Sequence, residues 1–411
     1  MSRNFRSTRG RMAIESIEGA DQTAAEIDID TDSQHGDGAD AALLDLKDVN
    51  TEVAENDGAV DELENTVAAL ESLLETAEAA QETGGLDPVA ADLLQKAVEN
   101  ETAPLGTPAE EVVPALENFT SPSSRRQATV MACEGIKDWI DKVWAKIKEL
   151  IQKGRDLAKK AYVAVKQFIQ RIEPRIKALQ EDAGKRNFSM PKSGNVSDKG
   201  EWALSEVGKL QQLSDAVLDS YTKAAIAHAN SIASALSAGD EAKAAEEGKT
   251  EEKAEFSVPS NLEAPAKVLL AIKNLPGNRE FVPAGDTMTI RTKQGGSTGG
   301  SSAASAANEQ TITSALTTLA TVAKAVVGYE KNFQEKDRAQ EGVIKAGDAF
   351  AKKAKANDKG DDAAARAAIN AAKNAGRLLD QPAKDTLSYL VTAINGYCTT
   401  IAAHLKHYDK K

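Results

Sequence analysis

Apolar side chains recur at helical spacing through most of the chain. Between Gly135 and Leu179 they return every three or four residues, which is the period of an amphipathic helix. The same period predicts a second helix over 201–236, another over 311–333 and a last one that begins near Pro382, since proline suits a first helical turn. Pro174 is expected to kink or end the first helix. The sequence therefore predicts a mainly α protein, an elongated bundle of long amphipathic helices.

Composition supports this fold class. Aromatic residues make up only 4% of the chain, while Ala, Lys and Glu are abundant, which favours helical bundles over sheets. One block without helical spacing contains turns and a single alternating stretch, Thr287–Thr292, that predicts a short strand. The predicted organisation is a disordered acidic segment (1–45), a coiled-coil-like helix (46–82), a Pro/Gly-rich linker (83–134), a helical domain in two halves (135–255 and 309–411) and an irregular insertion between them (256–308).

Charge divides the chain into two parts. The 411 residues carry 50 basic and 63 acidic side chains, a net charge of −13. Residues 1–117 hold 6 of the basic and 28 of the acidic ones, whereas residues 118–411 hold 44 basic and 35 acidic, a net charge of +9. An asymmetry of this size indicates a separable acidic segment with its own partners.

A heptad pattern begins at Leu46, within the acidic part. One seam position falls on Leu46, Val53, Val60, Val67 and Leu74, and the other on Val49, Asn56, Leu63, Leu70 and Ala77. This pattern predicts self-association through residues 46–77 as a coiled coil, with a lean toward a parallel dimer. The turn signal Asn56-Asp57-Gly58 is expected to interrupt it. The alternative is one amphipathic helix that packs on the chain's own C-terminal part.

Several functional classes find no support in the sequence. Cys133 and Cys398 cannot form a disulfide scaffold, and no apolar run is long enough to span a membrane. No metal motif, phosphate loop or nucleophile motif is present, so we expect no cofactor, no metal site and no enzymatic activity. An enzyme with its site in 256–308, near Glu280 and Asp286, remains a minor alternative.

The helix that begins at Gly135 combines aromatic residues with many lysines. Such a helix can present its basic face to phosphates or lie on an anionic membrane. The alternative is that its apolar face is bundle core and its lysines are the solvent side. The candidate contacts to DNA or other anions are Lys137, Lys142, Lys146, Lys148, Lys153, Lys159 and Lys160.

These features together resemble a known family. An acidic, partly coiled N-terminal segment precedes the tripeptides Ala115-Leu116-Glu117 and Ala132-Cys133-Glu134, and the lysine- and tryptophan-containing helix follows from Gly135. This arrangement is similar to the internal head proteins of phiKZ-like giant tailed phages. The resemblance implies a precursor that is packed into the prohead and cut by the phage prohead protease after a small residue, any residue and Glu.

The resemblance also implies partners and a location. Cleavage after Glu134, which would leave Gly135 as the new N-terminus, is the first expectation, and cleavage after Glu117 is the second. The product would be a basic helical protein in the capsid interior, next to other interior proteins and non-specifically bound to packaged double-stranded DNA. Ejection with the DNA is a further expectation, and synthesis would take place in the host cytoplasm. The competing hypothesis is an unprocessed coiled-coil or bundle module with an acidic regulatory tail.

Overall fold

A computed structural model describes most of the chain. The described residues are 37–103, 112–113, 121–189, 191–192, 196–198, 201–239, 259–272, 274–284, 287–293, 302–356 and 362–411. Residues 1–36 of the segment predicted to be disordered lie outside these ranges, as do Ala115, Leu116 and Glu117. Residues 37–45 of the same segment are helical, which moves the start of the first helix nine residues ahead of the heptad.

The prediction of a mainly helical protein is confirmed. Long helices dominate the described residues, and short antiparallel strand pairs accompany them. The described residues divide into two compact units, one within the range 49–159 and one within the ranges up to 48 and from 160 to 411. We call them the hairpin unit and the bundle unit.

The hairpin unit contains most of the acidic segment and the first part of the basic helix. Its elements are α1 (Asp37–Glu82), α2 (Pro88–Thr102) and α3 (Pro122–Gly184), of which α1 and α3 continue into the other unit. Asp87 caps α2 by accepting a hydrogen bond from the Ala90 amide at 2.8 Å, and Pro88 follows in the first turn. Ser121 starts α3 in the same way, since its hydroxyl accepts from the Ser124 amide at 3.2 Å.

The segment predicted to be a Pro/Gly-rich linker is therefore partly helical. The prolines at 88 and 122 both stand directly after a capping side chain, where proline begins a helix. The interruption predicted at Asn56-Asp57-Gly58 is also absent, because α1 is continuous from Asp37 to Glu82. Tertiary contacts at Asn56, described below, outweigh the local turn preference.

The bundle unit is built from the C-terminal part of α3 and six further helices in the described residues. They are α4 (Gly208–Ser214), α5 (Thr222–Ala238), α6 (Glu263–Ala271), α7 (Glu309–Gly328), α8 (Glu330–Ala356) and α9 (Asp362–Lys406), and a π-helical segment (Asp215–Tyr221) joins α4 to α5. Helices α5, α8 and α9 pack against one another, and α7 packs against α4 and α9. The largest fully buried side chains of this unit include Tyr221, Tyr329 and Tyr397.

Two predicted helix ends are wrong: α3 does not end at Pro174, and α9 does not begin at Pro382. Helix α3 continues through Pro174 to Gly184, and α9 continues through Pro382 rather than beginning there. Neighbouring elements hold both helices in place: Arg175, one residue after the first proline, donates a hydrogen bond to Asn395 of α9 at 3.0 Å. Packing therefore outweighs the lost backbone hydrogen bond and the ring clash of an interior proline.

The strands form two small antiparallel pairs. Strands β2 (Arg279–Ala284) and β3 (Thr287–Thr292) form a hairpin, which confirms the single strand predicted there and adds its partner. Strand β1 (Val196–Asp198) pairs with β4 (Ser302–Ala304). The β2–β3 hairpin is fixed to α9 by the half-buried Asp385, whose carboxylate accepts hydrogen bonds from the Thr289 hydroxyl and, at 3.3 Å, from the Ile290 amide.

Candidate processing site and basic helix

The bond predicted to be cut first lies inside a helix. Residues Ala132 to Gly135 lie within the continuous helix α3, near its N-terminal end and eleven residues past Ser121 at the nearest. Ala132 is 1% exposed and Cys133 is 4% exposed, while the Glu134 side chain points to solvent. A protease that binds its substrate in extended form cannot engage this bond until the helix unwinds, because the backbone amides are bonded within the helix.

The Cys133 thiol lies in the same buried region of α3. Burial raises its pKa above the ordinary value, the nearby Glu78 carboxylate adds to the rise, and the Lys137 ammonium opposes it. The neutral thiol is thus the stable form, which is the reverse of what a nucleophilic cysteine needs. Cys133 is a packed side chain of the hairpin unit and not a reactive group.

The second predicted tripeptide, Ala115-Leu116-Glu117, lies outside the described residues. The flanking chain is described at Val113 and again from Ser121, where α3 begins. The signal that sequence reasoning missed is the serine–proline pair at 121–122, which marks the helix start thirteen residues before Gly135.

The candidate lysines separate into two sets along α3. Lys142, Lys146, Lys153 and Lys160 are exposed, whereas Lys137, Lys148 and Lys159 are half-buried. The second set recurs every eleven residues, which is about three helical turns, so its members share one side of α3. We call the first set the outer lysines and the second set the inner lysines.

The outer lysines face solvent. Lys146 is paired with Glu149 of the same helix at 2.7 Å, and the Lys142 ammonium lies 5.5 Å from the centre of the Trp139 ring. Exposed ion pairs of this kind add little stability and exchange readily with other anions. These side chains are therefore accessible to phosphate groups in the folded chain.

The inner side of α3 lies along the acidic helix α1. The Lys137 ammonium pairs with the Glu78 carboxylate at 2.8 Å, and the Asn56 side-chain amide donates to the Leu150 carbonyl at 3.0 Å. The later residue of α1, Glu78, contacts the earlier residue of α3, Lys137, so the two helices run antiparallel. Asn56, where the sequence predicted a turn, is one of the residues that join α1 to α3.

Close backbone approach completes the hairpin unit where α1 ends. Gly85 has a positive φ of 93°, and a Cβ atom there would lie 2.7 Å from backbone atoms of Arg125 and Arg126. The buried Leu86 amide donates to the Thr129 hydroxyl at 2.9 Å. Only glycine combines this backbone conformation with so close a neighbour.

The heptad side chains are buried within a single chain. Seam residues that are less than 8% exposed include Val53, Val60, Leu63, Val67, Leu70, Leu74 and Ala77. This is the arrangement expected from the alternative of one amphipathic helix packed on the chain's own later part. Self-association through 46–77 stays a prediction, and it would require α1 to leave this packing.

The irregular insertion holds no assembled catalytic group in its described part. Glu280 and Arg291 form a cross-strand ion pair at 3.1 Å on the β2–β3 hairpin, and Asp286 lies outside the described residues. The His404 ring is buried and accepts a hydrogen bond at Nδ1 from the Ala307 amide at 3.1 Å. No group of three or more His, Cys, Asp or Glu side chains that could hold a metal ion is found among the residues that the structure covers.

Among the residues that the structure describes, one helical stretch, Glu309–Ala354, is long and apolar enough to cross a membrane by length and composition alone. Its apolar residues Ile312, Leu316 and Leu319 are at most 1% exposed within the bundle unit. A core helix of a bundle has these same properties, so the stretch is weak evidence for a membrane span.

Comparison with known proteins gives one match. The model of the family of phiKZ-like phage internal head proteins matches residues 38–403. The chain belongs to this family. No curated protein and no solved structure matches it.

The extent of the family match includes both units. It begins at residue 38, one residue after the start of α1, so the acidic helix lies within the matched range together with the basic helix and the bundle unit. The chain is thus an internal head protein, a structural component of the phage that is located inside the capsid.

Proposed function

We propose that this internal head protein is packed into the prohead as a precursor, cut by the prohead protease after a small-x-Glu tripeptide, and retained as a basic helical protein that contacts the packaged DNA. We further propose that it is made in the host cytoplasm, surrounded in the head by other interior proteins, and ejected with the DNA. The charge division supports the proposal most directly: residues 135–411 carry 42 basic and 34 acidic side chains, so removal of the preceding part changes the net charge from −13 to +8.

DNA association in this proposal is electrostatic and independent of sequence. Duplex DNA carries one negative charge per about 1.7 Å of its axis, so cations that reach the phosphates replace condensed counterions. The outer lysines are suited to this role because they are exposed on the described part of α3. With aromatic residues at 4% of the chain, stacking on unpaired bases is not part of the proposal.

The burial around Glu134 supports an order of cleavage. The protease first cuts after Glu117, outside α3, and cuts after Glu134 only when the start of α3 has unwound. The reason is that Ala132 and Cys133 are buried and the Glu134–Gly135 bond is helical. A substitution that weakens the hairpin unit would therefore speed the second cut without affecting the first.

N-terminal sequencing and peptide mapping of the protein from purified particles test the proposal. We expect peptides from residues 1–117 to be depleted relative to those from 135–411, with a new N-terminus at Asn118 or Gly135. An intact precursor in mature particles would refute processing. Binding of the full chain and of a 118–411 fragment to duplex DNA at low salt tests the electrostatic part: the fragment should bind more tightly, and its affinity should fall as salt is raised.

The unprocessed interaction module remains the second candidate. The heptad pattern of α1 is the observation that favours it, since a long heptad pattern is typical of association. Because the seam is buried within the single chain, such association requires α1 to leave this packing. Light scattering of the full chain over a range of concentrations separates the two: a stable dimer that is lost in a Leu63→Asp variant would favour association through α1.

A further inference from the structure

The hairpin unit is held together by side chains on both sides of the segment that we propose is cut. We call residues 104–120 the connector; residues 49–103 precede it and residues 121–159 follow it. Three contacts join the two sides: Asn56 with Leu150, Glu78 with Lys137, and Leu86 with Thr129. Between Asn56 and Glu78, α1 is about 33 Å long at 1.5 Å per residue. None of these contacts depends on the connector being intact.

Between these polar contacts, both helices bury apolar side chains. Leu70 and Ala77 of α1 are 0% exposed, and so are Ile136 and Ile147 of α3. Apolar burial of this kind does not weaken when salt is raised, in contrast to exposed ion pairs. The acidic helix is therefore not held by charge alone.

Opposite net charges on the two sides favour an acidic partner for α3. Residues 49–103 carry 14 acidic and 1 basic side chain, a net charge of −13, whereas residues 122–159 carry 9 basic and 5 acidic, a net charge of +4. Asp57, Glu64, Glu71 and Glu78 recur every seven residues and so share one side of α1. One of them, Glu78, pairs with the inner lysine Lys137 at 2.8 Å.

We propose that α3 is a docking surface for an acidic amphipathic helix, and that residues 49–103 stay bound to it after the connector is cut. Cleavage then produces a two-chain protein and does not by itself expose the inner lysines or the apolar side of α3. Removal of the acidic segment requires a second event that separates the two chains. The inference rests on the proposed function in one respect: it takes the cut to fall between Ala103 and Ser121.

The test uses the full chain with a recognition sequence for a site-specific protease inserted after Glu117. After complete cleavage, the two fragments should elute together in gel filtration at 0.15 M and at 1 M NaCl, with the helical circular dichroism of the uncut protein. Separation of the fragments at both salt concentrations would overturn the proposal. Separation at 1 M alone would overturn the apolar part of the argument.

Two leucine substitutions, one buried and one exposed, test whether the apolar seam of α1 is the surface that binds α3. Leu70→Ala removes a side chain that is 0% exposed and should raise the dissociation constant of the cut protein about 30-fold or more, whereas Leu93→Ala removes one that is 61% exposed on α2 and should leave it unchanged. Equal effects of the two substitutions would refute docking through the seam. The phage protease takes no part in this experiment, so an uncut precursor in virions would overturn the proposed processing and leave this result in place.

Discussion

Gly396 in helix α9 faces the indole ring of Trp202, and replacing it with alanine sets two opposing effects against each other. Alanine is the better helix former, which favours the variant by up to about 1 kcal/mol. A Cβ atom at this position would lie 2.5 Å from Nε1 and 2.7 Å from Cδ2 of Trp202, which is far inside van der Waals contact. The substitution is therefore tolerated only if the indole moves.

Neighbours on two sides of the half-buried Trp202 ring restrict that movement. The opposite end of the ring lies against Gly277, where a Cβ atom would be 2.6 Å from Cη2, and the ring centroid is 5.6 Å from that of the buried Tyr397. Overpacking of a closed site costs about 1–3 kcal/mol. Because the clash involves the fused part of the ring and not a flexible end, we take the upper part of this range and expect Gly396→Ala to be net destabilising by about 1–2 kcal/mol.

Urea unfolding followed by circular dichroism measures the effect. The matched control is Gly342→Ala in α8, where a Cβ atom would have no neighbour within 4 Å, and it should stabilise by about 0.5–1 kcal/mol. In a Trp202→Leu background, Gly396→Ala should also become stabilising. The reasoning is refuted if Gly396→Ala and Gly342→Ala stabilise the wild-type protein equally.

Three further predictions concern buried polar groups. The Lys336 side chain is 5% exposed and forms an ion pair with Asp380. We expect Lys336→Met to lower the free energy of unfolding by about 3–5 kcal/mol, because it leaves the Asp380 carboxylate without its partner charge. The double substitution Lys336→Met/Asp380→Leu should restore most of this loss, as measured by denaturant unfolding. Burial raises the pKa of Asp385 above 3.8, so the folded state holds this proton more tightly than the unfolded state. Stability should therefore decline as pH rises from 3.8 through the raised pKa, and this decline should be absent in Asp385→Asn. Burial raises the pKa of Cys398 to about 12 and also raises the pKa of Cys133. We therefore expect neither thiol to react with a disulfide reagent at pH 8 in the folded protein. Fast labelling of Cys133 would show that α3 is unwound beside Glu134.

The helical class and the basic helix were predictable because both rest on local periodicity. Apolar spacing over 135–179 identified α3 correctly, and alternation over Thr287–Thr292 identified β3. The ends of the elements were less predictable. Ser121 and Pro122 start α3, but a serine and a proline are equally common in loops, and only the helix that follows decides between the two.

The candidate site was predictable in its chemistry and not in its accessibility. Small-x-Glu tripeptides can be found by inspection, yet burial of Ala132 and Cys133 is a property of the packed hairpin unit. The seven lysines could be listed from the sequence. Their division into outer and inner sets depends on where α1 lies, which a helical period alone does not specify.

Three properties of this protein can be established from its sequence alone: it is helical, its acidic and basic parts are segregated, and α1 carries an apolar seam. These properties follow from residue type and spacing, and each is local. The folded chain adds three facts that no local pattern specifies: the seam is buried within one chain, Asn56 bonds α3 instead of breaking α1, and Pro174 and Pro382 lie inside helices. Burial and distant hydrogen bonds contribute more free energy than local turn or proline preferences of about 1–3 kcal/mol, and these contacts depend on residues far apart in the chain.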